Sequence, residues 1–566
     1  MSDAPELASR PDGMQVRFRR RFLYSDRTPR SGAERRAAAA ALPPRHLIIV
    51  PSPLLWYGVE QLLQRSDAPG ALLCVELDPA LAALSRRYLP PSLAHDSRVR
   101  FITLDDPATL DASITELGCE AFSGCDIVSL SGGYLLHRTR YRALESYLRA
   151  VLRRNWQNRL SLIRLGRRWL LNTFTNLPDL AESRALSEYR FERPVVLVAA
   201  GESLEAHLPS LRAHRGAICI VAADTALGPL VEGGVTPDLV VVLEAQLINL
   251  EHVLGFLNTG AAFAFELSSA PQLLRRIPPE RRYFFASRFT ETAALRRLEQ
   301  TAPVKPWIAP RGSVAVAALE AVARAAPEDV AVHLVGTDFA FRLGKPHARG
   351  SGSHRWYLRY TERLAPDALY DQAIARPLLT LQDESGTTVR SDTILAGYRD
   401  QLLHAIAVCG VSALEIAADG PFTGLPTGLP RSTYAGLSAG GAPSGAISAD
   451  EVTGDAPQPA PLSAAAATER RRSVLTFLEA ELARLENAVG HLERISEGAG
   501  SGTHGDKASL SRILAECDYI EIDFPSPSAA SEATTPQHLR RLIVSARHFR
   551  RVTRNAHRRA LRAAEK

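Results

Sequence analysis

The sequence predicts an α/β protein with two parallel-sheet units in tandem, followed by a C-terminal α-helical region. Segments of strand and helix character alternate twice along the chain, which implies parallel sheets with helices on both faces. The strand segments, such as "VVLVAA" and "LVVVLEA", are continuous apolar runs, as is typical of strands buried on both faces. Near the C-terminus, apolar residues recur at the three- and four-residue steps of a helix-packing seam: Leu475, Leu478, Leu482, Leu485, Val489 and Leu492.

Changes in composition and periodicity divide the 566 residues into six segments. The predicted segments are a basic, partly disordered N-terminus (1–44), a degenerate Rossmann-like unit (45–150), a helical connector (151–190), a central, catalytic Rossmann-like domain (191–430), a linker rich in Gly, Ala and Pro (431–467), and a helical C-terminal region (468–566).

Composition narrows the class of protein. No run of about 18 apolar residues occurs, so no transmembrane helix is predicted, and the N-terminus lacks the apolar core of a secretory signal. The six cysteines have no CxxC spacing, which argues against a zinc site and a disulfide framework and favours a reducing, cytoplasmic location. Much of the net charge of +6 lies near the two ends of the chain. The basic C-terminal helix is expected to be a solvated face or a surface for an acidic partner, because no nucleic-acid recognition module accompanies it.

The first α/β unit has a strand that ends in acidic residues. Glu76 and Asp78 precede a helix, where class I methyltransferases, which this unit resembles, bind the ribose of their cofactor. The turn after the strand "HLIIV" should then be rich in glycine so that backbone N–H groups can face the ligand. It contains Pro51 and Pro53 instead, with Gly58 as its one glycine. The sequence therefore favours a non-catalytic unit over an active methyltransferase.

In the central unit, polar residues stand beside the ends of the predicted strands. They are Gly201, Glu202 and Ser203; Asp224 and Thr225; Asp238; Glu244, Gln246 and Asn249; Gly312 and Ser313; and Gly336, Thr337 and Asp338. Each residue alone is more simply explained as a helix cap or a turn former. Together they predict a ligand site, because such sheets bind ligands at the carboxyl ends of their strands.

The motifs that carry these residues are "AAGESL", "AADTAL", "TPDLVVVLEAQ", "RGSVAVAALEAV" and "LVGTDFAF", followed by "GKPHARGS". The series resembles the bacterial motility-associated factor family, also called the domain of unknown function 115 family, over roughly 195–425. Proteins of that family are similar to flagellin glycosyltransferases that use CMP-activated nonulosonic acids, whose core is sialyltransferase-like (family 42). They are also similar to archaeal 6-hydroxymethyl-7,8-dihydropterin diphosphokinases. The flanking segments of this chain favour the glycosyltransferase branch.

The resemblance assigns donor-binding roles to the strand-end residues. It implies that the Gly201-Glu202-Ser203 loop holds the donor's phosphate or ribose, and that the remaining strand-end residues contact nucleotide and sugar. The usual loop is Gly-Pro-Ser-Leu, so Glu202 replaces a proline, and a carboxylate beside a phosphate is costly unless it turns away or binds a cation. Glu244 stands where the family usually has Asp.

The resemblance also points to catalytic residues. A loop histidine deprotonates the acceptor hydroxyl in sialyltransferase-like enzymes, which makes His347 and His354 candidates beside Asp338, although a surface-loop histidine is the plainer interpretation. Lys345, Arg349 or Arg355 could neutralise a departing CMP or a sugar carboxylate.

The expected function is transfer of a nonulosonic sugar from a nucleotide-sugar, CMP-nonulosonic acid, to Ser or Thr of flagellin. No Asp-x-Asp motif is present, so no obligatory metal is predicted, and neither nucleic acid nor a membrane is an expected partner. The C-terminal helices are a candidate surface for homo-oligomerisation. One alternative is a diphosphokinase-like pyrophosphoryl transferase, with ATP and Mg²⁺ held by Asp224, Asp238 and Glu244. The other is a non-enzymatic flagellar assembly factor, which the Glu202 exchange favours.

Overall fold

The computed structural model describes residues 4–103, 107–118, 122–327, 330–342, 345–364, 378–383, 386, 388–416, 424–439, 462–497, 504–524 and 535–563. The chain divides into two compact units, Met1–Arg164 and Leu165–Lys566. Both contain a parallel sheet, and the second also contains the C-terminal helices, so the predicted fold class is confirmed. Among the described helices, none combines the length and apolar character needed to cross a membrane.

The first unit is built on a four-stranded parallel sheet with the order β6-β5-β4-β7. Its strands are β1 (Glu6–Arg10), β2 (Gly13–Phe18), β3 (Arg21–Phe22), β4 (His46–Pro51), β5 (Leu72–Glu76), β6 (Val99–Thr103) and β7 (Gly124–Ile127). Its helices are α1 (Pro29–Ala39), α2 (Val59–Gln64), α3 (Pro79–Arg87), α4 (Pro91–Ala94), α5 (Pro107–Glu116), α6 (Gly133–Leu136) and α7 (Arg138–Ser161).

The N-terminal segment departs from the sequence prediction. Partial disorder was predicted over 1–44, whereas the described residues 4–44 include an antiparallel sheet of β1, β2 and β3, followed by α1. Val16 and Phe18 are buried and alternate with exposed Arg17, the period-two pattern of a strand with one buried face. The buried Gln15 amide donates to the Tyr24 carbonyl and accepts from the Tyr24 N–H group, which ties the sheet to the chain beyond it.

The second unit contains, within the described residues, a ten-stranded sheet with the order β14-β13-β12-β11-β10-β9-β15-β18-β19, and β8 pairs with β13. Its strands are β8 (Arg184–Ala185), β9 (Val195–Val198), β10 (Cys219–Ala223), β11 (Leu239–Val242), β12 (Ala262–Glu266), β13 (Arg282–Ser287), β14 (Trp307–Ile308), β15 (Val332–Val335), β18 (Ala413–Ile416) and β19 (Arg431–Ser432). A separate antiparallel pair consists of β16 (Leu379–Gln382) and β17 (Thr388–Ser391).

The helices of the second unit cover both faces of the sheet and continue to the C-terminus. They are α8 (Arg167–Asn176), α9 (Leu204–Ala213), α10 (Leu227–Glu232), α11 (Pro271–Leu274), α12 (Ala293–Thr301), α13 (Val314–Ala325), α14 (Gly352–Tyr360), α15 (Thr393–Cys409), α16 (Tyr434–Ala439), α17 (Ala464–Glu497), α18 (His504–Glu516) and α19 (Pro536–Arg562).

The continuous apolar runs are explained by burial on two sides. Val195 and Leu197 of β9 belong to the same buried cluster as the apolar residues of α13. Val196 and Val198 point the other way and share a cluster with Leu204 of α9. Every position of such a strand must therefore be apolar, and no alternation is visible in the sequence.

The C-terminal helices pack on the second unit through an aromatic cluster. Phe174 of α8 contacts the rings of Phe477, Tyr519 and Phe549 at centroid distances of 6.2, 5.8 and 6.1 Å. In the predicted seam, Leu475 and Leu482 are half-buried and the other residues are buried. The segment predicted as a linker, 431–467, begins with β19 and α16, and its residues 440–461 lie outside the described part.

Candidate active site

Four neighbouring strands bring polar residues to one edge of the large sheet. The strands β11, β10, β9 and β15 are parallel and adjacent. Their carboxyl ends lead to Glu244, Asp224, Gly201 and Asp338 respectively. These residues are up to 137 positions apart in the sequence, from 201 to 338, and the strand order gathers them at the edge where such sheets bind ligands.

The turn after β9 is bonded to Asp338. The Ser203 N–H group donates to Asp338 Oδ2 at 2.8 Å, and the Ser203 hydroxyl donates to Asp338 Oδ1. A β-carbon at Gly201 would collide with the Asp338 carboxylate and the Gly336 carbonyl, so this approach requires glycine. Burial raises the pKa of Asp338 to about 6, although the hydrogen bonds from Ser203 lower it. Asp338 therefore uses both Ser203 donors and positions the turn.

Glu202, the residue that replaces a proline, is neutralised by cations. Arg342 Nε donates to Glu202 Oε1 at 2.7 Å, and Lys345 Nζ lies 3.3 Å from the same oxygen. Lys345 also pairs with Glu205 at 2.8 Å. The second carboxylate oxygen of Glu202 is buried and has no hydrogen-bond partner within the described residues. The fold thus accommodates Glu202 by pairing it with Arg342 and Lys345.

Asp224 follows β10 and is a buried carboxyl group with few partners. Its Oδ1 accepts a hydrogen bond from the Thr225 N–H group at 2.7 Å. Burial raises the pKa of Asp224 to about 7, and the nearby Glu244 raises it further. The Gln246 amide lies 3.4 Å from Glu244 Oε1. The side chain of Asn249 lies outside the described part of the chain. A carboxyl group with such a pKa is typical of functional sites.

His347 lies on a loop that is hydrogen-bonded to the turn after β9. The Ala348 N–H group donates to the Ala200 carbonyl at 2.9 Å, and the Arg349 N–H group donates to Glu205 Oε1 at 2.8 Å. The Nδ1 atom of His347 is buried and has no hydrogen-bond partner within the described residues. Burial lowers the pKa of His347, so the imidazole is neutral at pH 7 and able to accept a proton.

A second histidine and an arginine lie close to His347. Burial lowers the pKa of His252 to about 4, with further lowering by His347 and Arg355. His252 packs against Gly352, where a β-carbon would clash with it. His354 is on α14 beside Arg355, and its Nδ1 atom also has no partner in the described structure. Sequence reasoning missed His252, since it lies 95 positions before His347, in a stretch without a motif.

Of the remaining predicted site residues, Asp238 lies away from the carboxyl edge, whereas Gly312 and Ser313 follow β14 at the start of α13, as the sequence predicted. Asp238 precedes β11 and lies at the opposite, amino-terminal edge of the sheet, where it pairs with Arg193 at 2.6 Å and Arg215 at 2.9 Å. Gly312 packs against the Tyr398 ring, and Ser313 begins α13 without a side-chain cap bond. The structure does not join these residues to the group at the carboxyl edge by any described contact.

Gly336 and Thr337 remain beside Asp338. Gly336 has φ +70° and no space for a β-carbon next to the Ala199 carbonyl, so it shapes the turn. Thr337 is 9% exposed and lies between Gly336 and Asp338. Among the described residues, no group of three or more His, Cys, Asp or Glu side chains could hold a metal ion.

The corresponding turn of the first unit satisfies its own polar groups. The N–H groups of Leu54 and Leu55 donate to Ser85 Oγ and the Tyr24 hydroxyl, at 3.1 and 3.2 Å. The Ser52 hydroxyl donates to Glu76, the acidic residue predicted for a ribose, at 2.6 Å. Burial raises the pKa of Glu76, although hydrogen bonds from Ser52 and from the Leu77 and Asp78 N–H groups lower it. Leu54, Leu55 and Trp56 are buried, so protein groups fill the place where a cofactor would bind.

Comparisons with known proteins show what the sequence and the fold are similar to. Residues 171–344 match the model of the 6-hydroxymethylpterin diphosphokinase MptE-like family. An uncharacterized protein of Treponema pallidum (strain Nichols) is 28% identical over 378 residues, which are 65% of this chain and 66% of that protein. This chain therefore aligns with slightly less than two thirds of its relative.

The fold is similar to that of a solved structure over nearly the whole length. The Maf glycosyltransferase from Magnetospirillum magneticum AMB-1 matches with a TM-score of 0.54 and 15% identity, covering 99% of this chain and 91% of that protein. The MptE-like match contains the turn after β9, Asp224, Glu244 and Asp338. The resemblance to motility-associated factor and MptE-like proteins that the sequence predicted is thereby confirmed: residues 171–344 match the MptE-like family model, and the fold is similar to that of a Maf glycosyltransferase.

Proposed function

We propose that the protein is a glycosyltransferase that moves a nonulosonic sugar from a CMP donor to Ser or Thr of flagellin. The observation that carries the proposal is the length of the structural likeness. It extends over both flanks of the MptE-like domain, including the first α/β unit and the C-terminal helices, as expected for a protein with the architecture of a Maf glycosyltransferase. A minimal pterin diphosphokinase would need neither flank.

The chemical step requires a base beside the donor. A neutral His347 would take the proton of the acceptor hydroxyl, whose oxygen forms a bond to the anomeric carbon of the sugar. The bond between that carbon and the phosphate oxygen breaks, and CMP leaves with the electron pair. The unpartnered Nδ1 atom supports this role, and the lowered pKa of His347 keeps the imidazole in the neutral form that a base requires. Asp338 would act through Ser203 by fixing the turn on which the donor rests.

The MptE-like match favours one other candidate, a pyrophosphoryl transferase that uses ATP and Mg²⁺. Its predicted metal ligands were Asp224, Asp238 and Glu244. Asp238 lies at the opposite edge and is occupied by two arginines, so this set does not fit one ion. The geometry therefore supports the glycosyltransferase better.

Calorimetric titration with CMP, CTP and ATP, with and without Mg²⁺, tests the choice. We expect metal-independent CMP binding that Ser203→Ala and Asp224→Ala both weaken. Binding of ATP that requires Mg²⁺ would favour the pyrophosphoryl transferase instead. Absence of binding to any nucleotide would favour the assembly-factor alternative.

A transfer assay tests the proposed base. We expect His347→Gln to lower the rate of flagellin mass increase by roughly 10²–10⁴-fold, as measured for lost general bases. The matched control is His404→Gln, since His404 is exposed on α15. Equal rates for the two variants would exclude His347 as the base.

A further inference from the structure

Arg355 on α14 holds its guanidinium group in place while leaving one edge of it unused. The Nη1 atom lies 3.7 Å from Glu232 Oε1, and the guanidinium carbon lies 4.5 Å from the centre of the Phe256 ring. The Nε and Nη2 atoms are buried, and neither has a hydrogen-bond partner within the part of the chain that the structure describes. Cation–π contact and the ion pair therefore orient a group whose remaining donors are unpaired.

These two donors belong to the same edge of the guanidinium plane. Their N–H bonds are parallel and match the spacing of two oxygens of a carboxylate or a phosphate. An arginine cannot relieve the cost of buried, unpaired donors by losing its proton, so an acceptor must supply the missing bonds. We propose that this edge of Arg355 is a binding site for an oxyanion, a carboxylate or a phosphate group of the substrate.

The neighbours of Arg355 connect the proposed site to the chemistry. His252 and His347 are close enough to influence each other electrostatically, as are His252 and Arg355. The Nδ1 atoms of both histidines are unpartnered among the described residues, as the guanidinium edge is. An oxyanion on Arg355 would thus lie beside the loop of the proposed base.

Two other cations predicted from the sequence are less suited to this role. Lys345 pairs with Glu205 and Glu202, and Arg349 is exposed, with its backbone N–H group bonded to Glu205. Arg355 combines buried, unpaired donors with a fixed orientation. The inference rests on the proposed function, in which the oxyanion is the donor phosphate or the carboxylate of the sugar.

The test uses probes that contain neither nucleotide nor sugar. The full chain is titrated with inorganic phosphate and, separately, with acetate at constant ionic strength, and the imidazole proton resonances of His252 and His347 are followed. Arg355→Lys keeps the charge and loses the two-donor edge. Arg359→Lys is the matched control, because Arg359 is on the same helix with its side chain 68% exposed. Thermal unfolding checks that each variant is folded, and Arg355→Gln provides a second variant.

We expect saturable binding of at least one probe to the parent protein and to Arg359→Lys, with an apparent Kd at least about tenfold higher in Arg355→Lys and Arg355→Gln. Stronger binding of phosphate assigns the site to the donor phosphate, and stronger binding of acetate assigns it to the sugar carboxylate. No saturable binding, or equal binding in the Arg355 variants, overturns the proposal. If the protein bound an anion through Arg355 but had no transfer activity, the proposed function would be wrong and the assignment of the anion site would stand.

Discussion

The turns after β4 and β9 have the same position in their respective sheets, since each follows a central parallel strand, but they use their polar groups differently. In the first unit, backbone N–H groups of the turn donate to Ser85 and Tyr24, and Glu76 accepts from Ser52. Three large apolar side chains of that turn are buried. In the central unit, Glu202 of the turn and the neighbouring His347 each have a buried polar atom without a hydrogen-bond partner among the described residues.

A polar residue at the end of a strand is therefore not sufficient for a ligand site. The protein must also leave donors and acceptors unpaired there, since a buried polar group without a partner is costly unless a ligand supplies it. In the first unit, these groups are hydrogen-bonded to other protein groups, and the bonds stabilise the fold. The central unit keeps them available at a cost to stability, as is typical of functional sites.

The largest expected effect comes from emptying the filled turn. Trp56 is 3% exposed, contacts Phe101 at a ring-centroid distance of 5.5 Å, and donates from its indole to the Ser85 carbonyl at 2.8 Å. We expect Trp56→Ala to lower the free energy of unfolding of the first unit by about 3–5 kcal/mol. Urea denaturation measures this change. The Kd of the folded protein for CMP should change by less than about twofold, because the first unit is not expected to bind the donor.

The control for this variant is Phe22→Ala, because Phe22 is an aromatic residue of the same unit that is 51% exposed. It should change the free energy of unfolding by less than about 1 kcal/mol. If Trp56→Ala abolished nucleotide binding without loss of stability, the turn of the first unit would be a ligand site and the comparison would fail.

Much of the fold could be predicted from the sequence because buried parallel strands are continuous apolar runs. The N-terminal sheet could not be predicted, since four of the five residues of β1 are exposed and the strand offers no apolar run. The boundary of the linker was also missed, because β19 has only two residues and forms by pairing with β18. Short edge strands depend on tertiary pairing and leave little trace in composition.

The candidate site was less predictable than the sheet. Placing polar residues at strand ends gathered Glu244, Asp224 and Asp338 correctly along one edge. Asp238 lies at the other edge because it comes before its strand, so the direction of the strand decides the matter. Arg355 was one of three cations that the sequence offered for the donor, but neither the orientation of its guanidinium group nor the position of His252 could be predicted, since both depend on how α14 packs near residues 247–252.

Asp224→Asn should show the cost of burying a carboxylate whose described hydrogen bond comes from the Thr225 N–H group. Burial raises the pKa of Asp224 to about 7, above the roughly 3.9 of an unfolded chain. The folded state therefore binds the proton more tightly, and stability falls as the pH rises from about 4 to 7. Asparagine stays neutral, so the variant should be more stable than the parent by roughly 2–4 kcal/mol at pH 8 and equal to it below pH 4.

Urea denaturation at pH 4 and pH 8 measures this difference, and Asp238→Asn is the matched control. Asp238 is buried and paired with Arg193 and Arg215, so its loss should destabilise the protein at pH 8 by about 3–5 kcal/mol. Destabilisation of both variants by the same amount would mean that protein partners stabilise the Asp224 carboxylate as well as they stabilise that of Asp238. The difference between the two turns would then not extend to Asp224.

The smallest expected effect concerns Glu202, whose carboxylate occupies Arg342 and Lys345 at the turn where a phosphate is proposed to bind. Glu202→Gln weakens the ion pairs that Glu202 makes with Arg342 and Lys345, and it removes a negative charge. We expect CMP to bind about two- to tenfold more tightly, because Arg342 and Lys345 are partly exposed to solvent and each contributes modestly. Cytidine, which has no phosphate, should bind as before, and calorimetry with the two ligands isolates the phosphate contribution.

The control Glu280→Gln makes the same change in net charge at an exposed position and should alter neither affinity. Weaker CMP binding in Glu202→Gln would mean that Glu202 organises the turn for the donor. In that case the exchange of proline for glutamate would be an adaptation to donor binding. The ion pairs of Glu202 would then prepare the turn after β9 for a ligand, unlike the hydrogen bonds that fill the turn after β4.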